Sequence, residues 1–197
     1  MELHSSQEEF YINPVLYHGR PQDEAGRSEK ELRTYDLLDQ LSIPYDRLDH
    51  EALPTIAACH QVDQIFQTPV CKNLFLTNAQ KTKFYLLLIP GEKKFKTKDL
   101  SRQIGSARLS FAGPEYLAQY LDLTPGSVSI LGLMNDRENQ VQLLIDRQVV
   151  EGHPLIGCHP CINTSSLRLP TDLILNRFLP AIHHDYILVD LPDGEPS

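Results

Sequence analysis

The stretch VCKNLFLTNAQKTKFYLLLIPG, residues 70–91, constrains the fold more than any other part of the chain. Two runs rich in leucine and aromatic residues, 73–77 and 83–89, flank the polar turn NAQKT, and Pro90-Gly91 ends the second. That pattern reads as an antiparallel hairpin. Lys72 and Asn73 stand side by side at its head. A lysine beside a buried strand either snorkels to water or meets an anion.

The flanking segments supply helices. Ser28 with Glu31 three residues later is a capping-box signature, opening a helix that carries Leu32, Tyr35, Leu38 and Leu41 toward a core at spacings near 3.6. A strand over 45–49 follows, then a helix starting near Thr55 with Ile56, Ala57 and Ile65 inward. Residues 97–104 read as a helix stopped by Gly105, and 114–121 as one with proline in its first turn. TPGSVSILGLMND reads as a turn and an extended piece, VQLLID and NTSSLRL as strands, 171–179 as an amphipathic helix and 186–189 as a closing strand. Helices mixed with hairpins exclude a strictly alternating parallel design. The expected class is α/β (α+β), a mixed central β-sheet with packed helices. Residues 1–27, polar and turn-rich, read as an N-terminal extension ordered in part through Phe10, Tyr11, Val15 and Leu16. Residues 28–197 read as a single domain.

Composition narrows the classes. No apolar run approaches the roughly 18 residues of a membrane span, and MELHSSQEEF lacks the basic-then-apolar order of a signal peptide, so the expected location is cytoplasmic. Four cysteines, irregularly spaced, do not make a disulfide framework. Cys158 and Cys161 form CHPC, but a zinc site needs further ligands that no second knuckle supplies, and a redox pair would open a helix. No metal and no cofactor are expected. The net charge of -8 speaks against a general coater of nucleic acid or DNA. Between Lys81 and Arg108, however, eight cations face two acids, a local +6 that leaves -14 for the remainder. Lys81, Lys83, Lys93, Lys94, Lys96 and Lys98 could hold phosphates there; a solvated hairpin and helix face is the alternative.

No nucleophile elbow, P-loop or dinucleotide fingerprint is present. The groups that could do chemistry are dispersed: Lys72, the loop Thr124-Pro125-Gly126-Ser127-Val128-Ser129, Asp146, and His159-Pro160 with Asn163-Thr164. The set suits an ester or an anion better than a redox cofactor. Lysine supplies a point charge for a phosphate or oxyanion, a Pro-Gly turn can aim backbone amides at a ligand, and histidine can order water or move a proton. Each also has a structural reading: a strand-end lysine, a turn glycine, a hydrogen-bonded histidine, a strand-terminating aspartate.

The stretches CKNLFLTN, LSFAGPEYLAQYLDLTPGSVSILGLMND, VQLLIDRQV and GCHPCINTSSLRL, in this order, resemble the YbaK/ProX-like aminoacyl-tRNA deacylases. Within that family the chain looks like the freestanding prolyl-tRNA editing proteins, and the resemblance covers about residues 30–192. It implies that Lys72 contacts the terminal nucleotide and is needed for deacylation, with Asn73 beside it. GSVSI, residues 126–130, matches a loop whose amides surround the aminoacyl ester, with Ile130 where the family has proline. His159 and Pro160 match the family's histidine segment, Asp146 an acidic position after a strand, and Asn163-Thr164 a pair opening the next strand. The implied function is trans-editing of mischarged tRNA, Ala-tRNA(Pro) first, with Cys-tRNA(Pro) or another small amino acid as the alternative. The implied partners are tRNA(Pro) and prolyl-tRNA synthetase. Two rivals remain: a tRNA-binding module that has lost activity, which the Ile130 substitution favours, and a hydrolase of small esters, which the basic stretch disfavours.

Overall fold

In chain order the first element is a short strand, β1 (Tyr17–His18), which pairs antiparallel with β2 (Asp46–Asp49) across helix α1 (Glu29–Gln40). The structure, a computed structural model, describes residues 11–52, 56–68 and 70–193, and only the backbone of 56–59. Phe10, Thr55 and the inward faces expected of Ile56 and Ala57 lie outside the described residues. Ser28 caps α1 as the sequence requires, its hydroxyl accepting the Glu31 amide at 3.3 Å. The Glu31 carboxylate does not reach back to complete the box. It accepts instead from Arg27 and from the buried Tyr35 hydroxyl, each at 2.6 Å. Helix α2 (Ile56–Phe66) buries Val62 and Phe66 against Leu48, with Ile12, Leu16 and Ile65 packed around them. The segment read as an extension thus contributes β1 and two apolar side chains.

The hairpin forms where expected. β3 (Lys72–Asn78) and β4 (Phe84–Ile89) pair antiparallel, with Lys72 opposite Ile89. After α3 (Thr97–Gln103), strand β5 (Leu109–Phe111) pairs with the free side of β3. Helix α4 (Pro114–Leu121) occupies its expected residues. β6 (Val141–Asp146) then lies parallel to β4, giving, with the final strand β9 (Tyr186–Val189), a five-stranded mixed sheet. Strand β4 is central, which explains its unbroken apolar run. Phe84, Leu86 and Leu88 enter the main core, whereas Tyr85, Leu87 and Ile89 enter a second cluster with Leu100 of α3.

A second sheet, antiparallel throughout, joins β1 and β2 to two later strands, in the order β1, β2, Ser165–Pro170, Leu155–Cys158. Short helix α5 (Arg147–Gly152), capped by Asp146, precedes β7 (Leu155–Cys158), and β8 is Ser165–Pro170. A parallel bridge, Val70 with Gly157, links the sheets, with the Cys71 amide donating to the Gly157 carbonyl at 3.3 Å, and the main core packs side chains from both.

Two segments differ from expectation. Residues 130–135 are not extended but form a 3-10 helix, Ile130–Asn135, whose start is set by the Ser129 hydroxyl accepting from the Leu131 amide. The last helix runs from Thr171 to Ala181 with a π-helical turn over Ile174–Phe178. Pro180 accounts for that turn, because it cannot donate to a carbonyl four residues earlier and its ring crowds the ladder.

Candidate active site

Strand β3 enters from the seam between the sheets, so its first two side chains are fixed by neighbours from several segments. The Lys72 ammonium donates to the Lys93 carbonyl at 3.1 Å. Asn73 donates to the Cys71 carbonyl at 3.1 Å and accepts the Ile130 amide at 2.9 Å. The turn after α4 is held from within: the Ser127 amide and hydroxyl both donate to the Thr124 carbonyl, at 3.0 and 2.8 Å. Gly126 sits in that turn at φ +88°, and a Cβ there would lie 2.9 Å from the Asn163 amide nitrogen. Glycine is therefore required twice, by conformation and by space. With the Ser127 and Ile130 amides engaged, those of Gly126, Val128 and Ser129 have no hydrogen-bond partner among the described residues.

Lys72, Asn73, Gly126, Val128 and His159 line one cavity of about 250 Å³. Residues far apart in sequence are gathered here because β3, the turn after α4 and the end of β7 reach the same side of the seam. Sequence reasoning missed the rest of the wall: His60 and Asp63 of α2, Val70, Cys71, Gly91, Glu92 and Cys158. Only the strand-end position of Cys71 and Cys158, flanking Lys72 and His159, could have signalled two of them.

The chemistry of the wall is set by burial. His159 is half-buried, its Nδ1 donating to the Ser165 carbonyl at 2.9 Å, and burial lowers its pKa to about 4. The ring is neutral at pH 7, and with the proton on Nδ1 its Nε2 carries the lone pair. His50, edge-on at 6.2 Å, is lowered by burial as well. Burial pushes the Cys71 thiol up to about 12 and the Cys158 thiol higher still, so neither is a thiolate nucleophile near neutrality. Ser127 and Ser129 are buried, and their hydroxyls are engaged in the turn and the helix cap. The wall offers a cation, backbone donors, a neutral imidazole and the carboxylates of Asp63 and Glu92, without an activated serine or cysteine. That set can hold an ester and order a water beside it.

Several predicted site residues lie elsewhere. Asp146 is 1% exposed and does not line the cavity; one oxygen caps α5 by accepting the Gln148 amide at 2.9 Å, and the other faces the Lys93 ammonium at 2.9 Å. That second contact is an attraction between charges rather than an aligned hydrogen bond. Lys93, read as RNA-facing, is turned inward with its side chain 3% exposed, because it neutralises this buried carboxylate. Lys81, Lys83, Lys94, Lys96 and Lys98 are exposed, Lys81 lying 5.8 Å from the Tyr116 ring centre. Asn163 and Thr164 line a neighbouring groove behind the Gly126 turn, together with Lys30, Arg33 and Asp122. Pro160 and Cys161 are buried just beyond His159.

The family model of the aminoacyl-tRNA editing domain matches residues 50–176. The prolyl-tRNA editing protein ProX of Acetoanaerobium sticklandii is 35% identical over 132 residues, 67% of this chain and 80% of that protein. Prolyl-tRNA synthetase associated domain-containing protein 1 of Danio rerio is 29% identical over 162 residues, 81% of this chain and 85% of its own. Among solved structures, one assigned provisionally as a trans-editing enzyme for prolyl tRNA synthetase superposes with a TM-score of 0.62 at 16% identity, covering 85% of this chain and 99% of that one. The last shows the shared fold. No helix among the described residues is long and apolar enough to cross a membrane. The family match spans most of the chain and takes in Lys72, Gly126 and His159 alike, and the chain belongs to the aminoacyl-tRNA editing domain family, an enzyme family of deacylases.

Proposed function

We propose that this protein is a trans-editing hydrolase acting in the cytoplasm on Ala-tRNA(Pro), releasing alanine from the tRNA 3′ end. The observation that carries the reading is the convergence of Lys72, the Gly126 turn and His159 on one cavity of about 250 Å³. Lys72 contacts the terminal nucleotide. The open amides of Gly126 and Val128, both in the cavity wall, are assigned to the ester carbonyl and stabilise the oxyanion as water adds. The acyl C–O bond then breaks, the ribose oxygen leaves with a proton, and free alanine is the second product. His159 is neutral at pH 7 with its Nδ1 proton committed to the Ser165 carbonyl, and it orders water through Nε2. Asn73 acts on the loop rather than on the substrate, holding the Ile130 amide where the family has proline. That bond supports an active enzyme over a silent binding module, because it supplies the rigidity the missing proline would have given.

Specificity on this reading is steric. A closed pocket rejects a bulkier amino acid strongly and gains little from a smaller one, which is why a separate editing site is useful. Prolyl-tRNA synthetase is the proposed source of the mischarged tRNA. The test is release of amino acid from alanyl-, cysteinyl- and prolyl-tRNA(Pro) by the wild type and by Lys72→Ala. Alanine should be released fastest, prolyl-tRNA(Pro) should persist, and Lys72→Ala should lose about a hundredfold or more in kcat. Release of cysteine in preference to alanine would reassign the substrate, and full activity of Lys72→Ala would remove the mechanism.

A further inference from the structure

Several cations of this chain are neutralised where they stand, and a second set is not. Arg20, Arg27, Lys30, Arg33, Arg147 and Arg168 each pair with a carboxylate. Lys83, Lys96, Lys98, Arg102 and Arg108 are exposed and have no carboxylate partner among the described residues. Of the second set, Lys83 and Arg108 lie at one edge of the five-stranded sheet, and Lys98 and Arg102 are carried by α3. Helix α3 packs against β5, and the register of Leu109 opposite Asn78 brings Arg108 to the hairpin turn that carries Lys83. On this edge Phe111 is 67% exposed, more than any other large apolar side chain among the described residues. Its partner across the strands is Leu76, four residues along β3 from Lys72. Side chains two and four apart share a face, so Phe111 and Lys72 stand on the same side of the sheet, about 13 Å apart along the strand.

We propose that the β5 edge is a track for the unpaired 3′ tail of tRNA, with one base stacked on Phe111 and phosphates held by Lys98, Arg102, Arg108 and Lys83. The inference rests on the editing reading for the position of the acylated terminus at Lys72. An aromatic face stacks any base without reading its identity, and a cationic groove follows the backbone. The length fits: about 13 Å is the span of roughly four stacked nucleotides. A protein partner would want an apolar rim around the exposed ring, whereas this edge carries the unpaired Arg108 and Lys83 in a chain of net charge -8.

The chain has no tryptophan, so Phe111→Trp places a single reporter at the proposed stacking position. Its fluorescence is expected to be quenched by uncharged tRNA and unaffected by the same tRNA trimmed of its 3′ tail. Phe111→Ala is expected to raise KM for the mischarged tRNA about tenfold with kcat unchanged, and Phe111→Tyr to restore it. An unshifted Tm confirms that these exposed substitutions leave folding intact. Unchanged fluorescence at saturating tRNA, or an unchanged KM for Phe111→Ala beside an active wild type, overturns the track. Quenching by tRNA with no amino acid released by the wild type from any charged tRNA leaves the track standing and removes the editing function instead.

Discussion

Asn73 accepts the Ile130 amide at 2.9 Å, joining the head of β3 to the first residue of the 3-10 helix beyond the Gly126 turn. Proline at that position would have no N–H to offer, so the bond exists because this chain carries isoleucine. Ser129 before it is extended, at φ -151° and ψ 143°, a conformation that accepts a following proline. Asn73→Ala should therefore lower kcat at least tenfold in the wild type and much less in an Ile130→Pro background. The double-mutant cycle for stability should show a coupling of about 1 kcal/mol. Equal losses in both backgrounds would mean that Asn73 acts on substrate.

The Lys93–Asp146 pair separates two kinds of lysine in one short segment. Lys93→Met leaves a buried carboxylate uncompensated and should cost about 3–5 kcal/mol in urea denaturation. It should also slow turnover, since the Lys93 carbonyl holds Lys72. Lys96→Met, at an exposed position, should stay within about 0.5 kcal/mol of the wild type.

Gly126→Ala forces a side chain into the left-handed region and against Asn163. About 1–3 kcal/mol of strain is expected, seen as a lowered urea midpoint, with kcat falling more than the stability loss alone would cause.

Acid should weaken the fold in a defined window. His159 is neutral when folded, with its pKa lowered by burial from 6.5 to about 4. The unfolded chain therefore binds more protons between those values, and stability declines as pH falls from about 6.5 toward 4. His159→Asn should flatten the plot of unfolding free energy against pH there. The wild-type rate, by the same argument, should show no step near pH 6.5 arising from this residue.

Replacing Lys96 and Lys98 together should leave hydrolysis at saturating tRNA unchanged and raise KM. The slope of log KM against log salt should fall by about 0.7–0.9 for each phosphate that is no longer neutralised. An unaltered slope would remove these residues from the RNA surface.

Much of the frame was legible because local chemistry and tertiary context agree. The capped start of α1, proline-led α4 and the hairpin all follow from residues that act on their immediate neighbours. Of the second sheet, β2 and β8 could be read as strands, but β1 is too short to carry a period and sequence reasoning missed β7. The pairing of β2 with distant β8 is set only by the fold. The site divides in the same way. Lys72, Gly126 and His159 could be singled out by type and resemblance, but nothing in sequence spacing places them around one cavity. Lys93 and Asp146 show the converse failure. A lysine among lysines reads as surface, and only the fold reveals the carboxylate waiting beneath it.

Val70 lies between two glycines at the seam. A Cβ on Gly157 would come within 2.8 Å of its side chain, and one on Gly91 within 2.5 Å of its carbonyl oxygen. Val70 and Gly91 both form part of the cavity wall. One side of this pocket is therefore gauged by main chain held close at the bridge between the two sheets. Widening it on that side by the thickness of a methyl would strain the bridge, so room for larger acyl groups should arise by drift where side chains form the wall and not here.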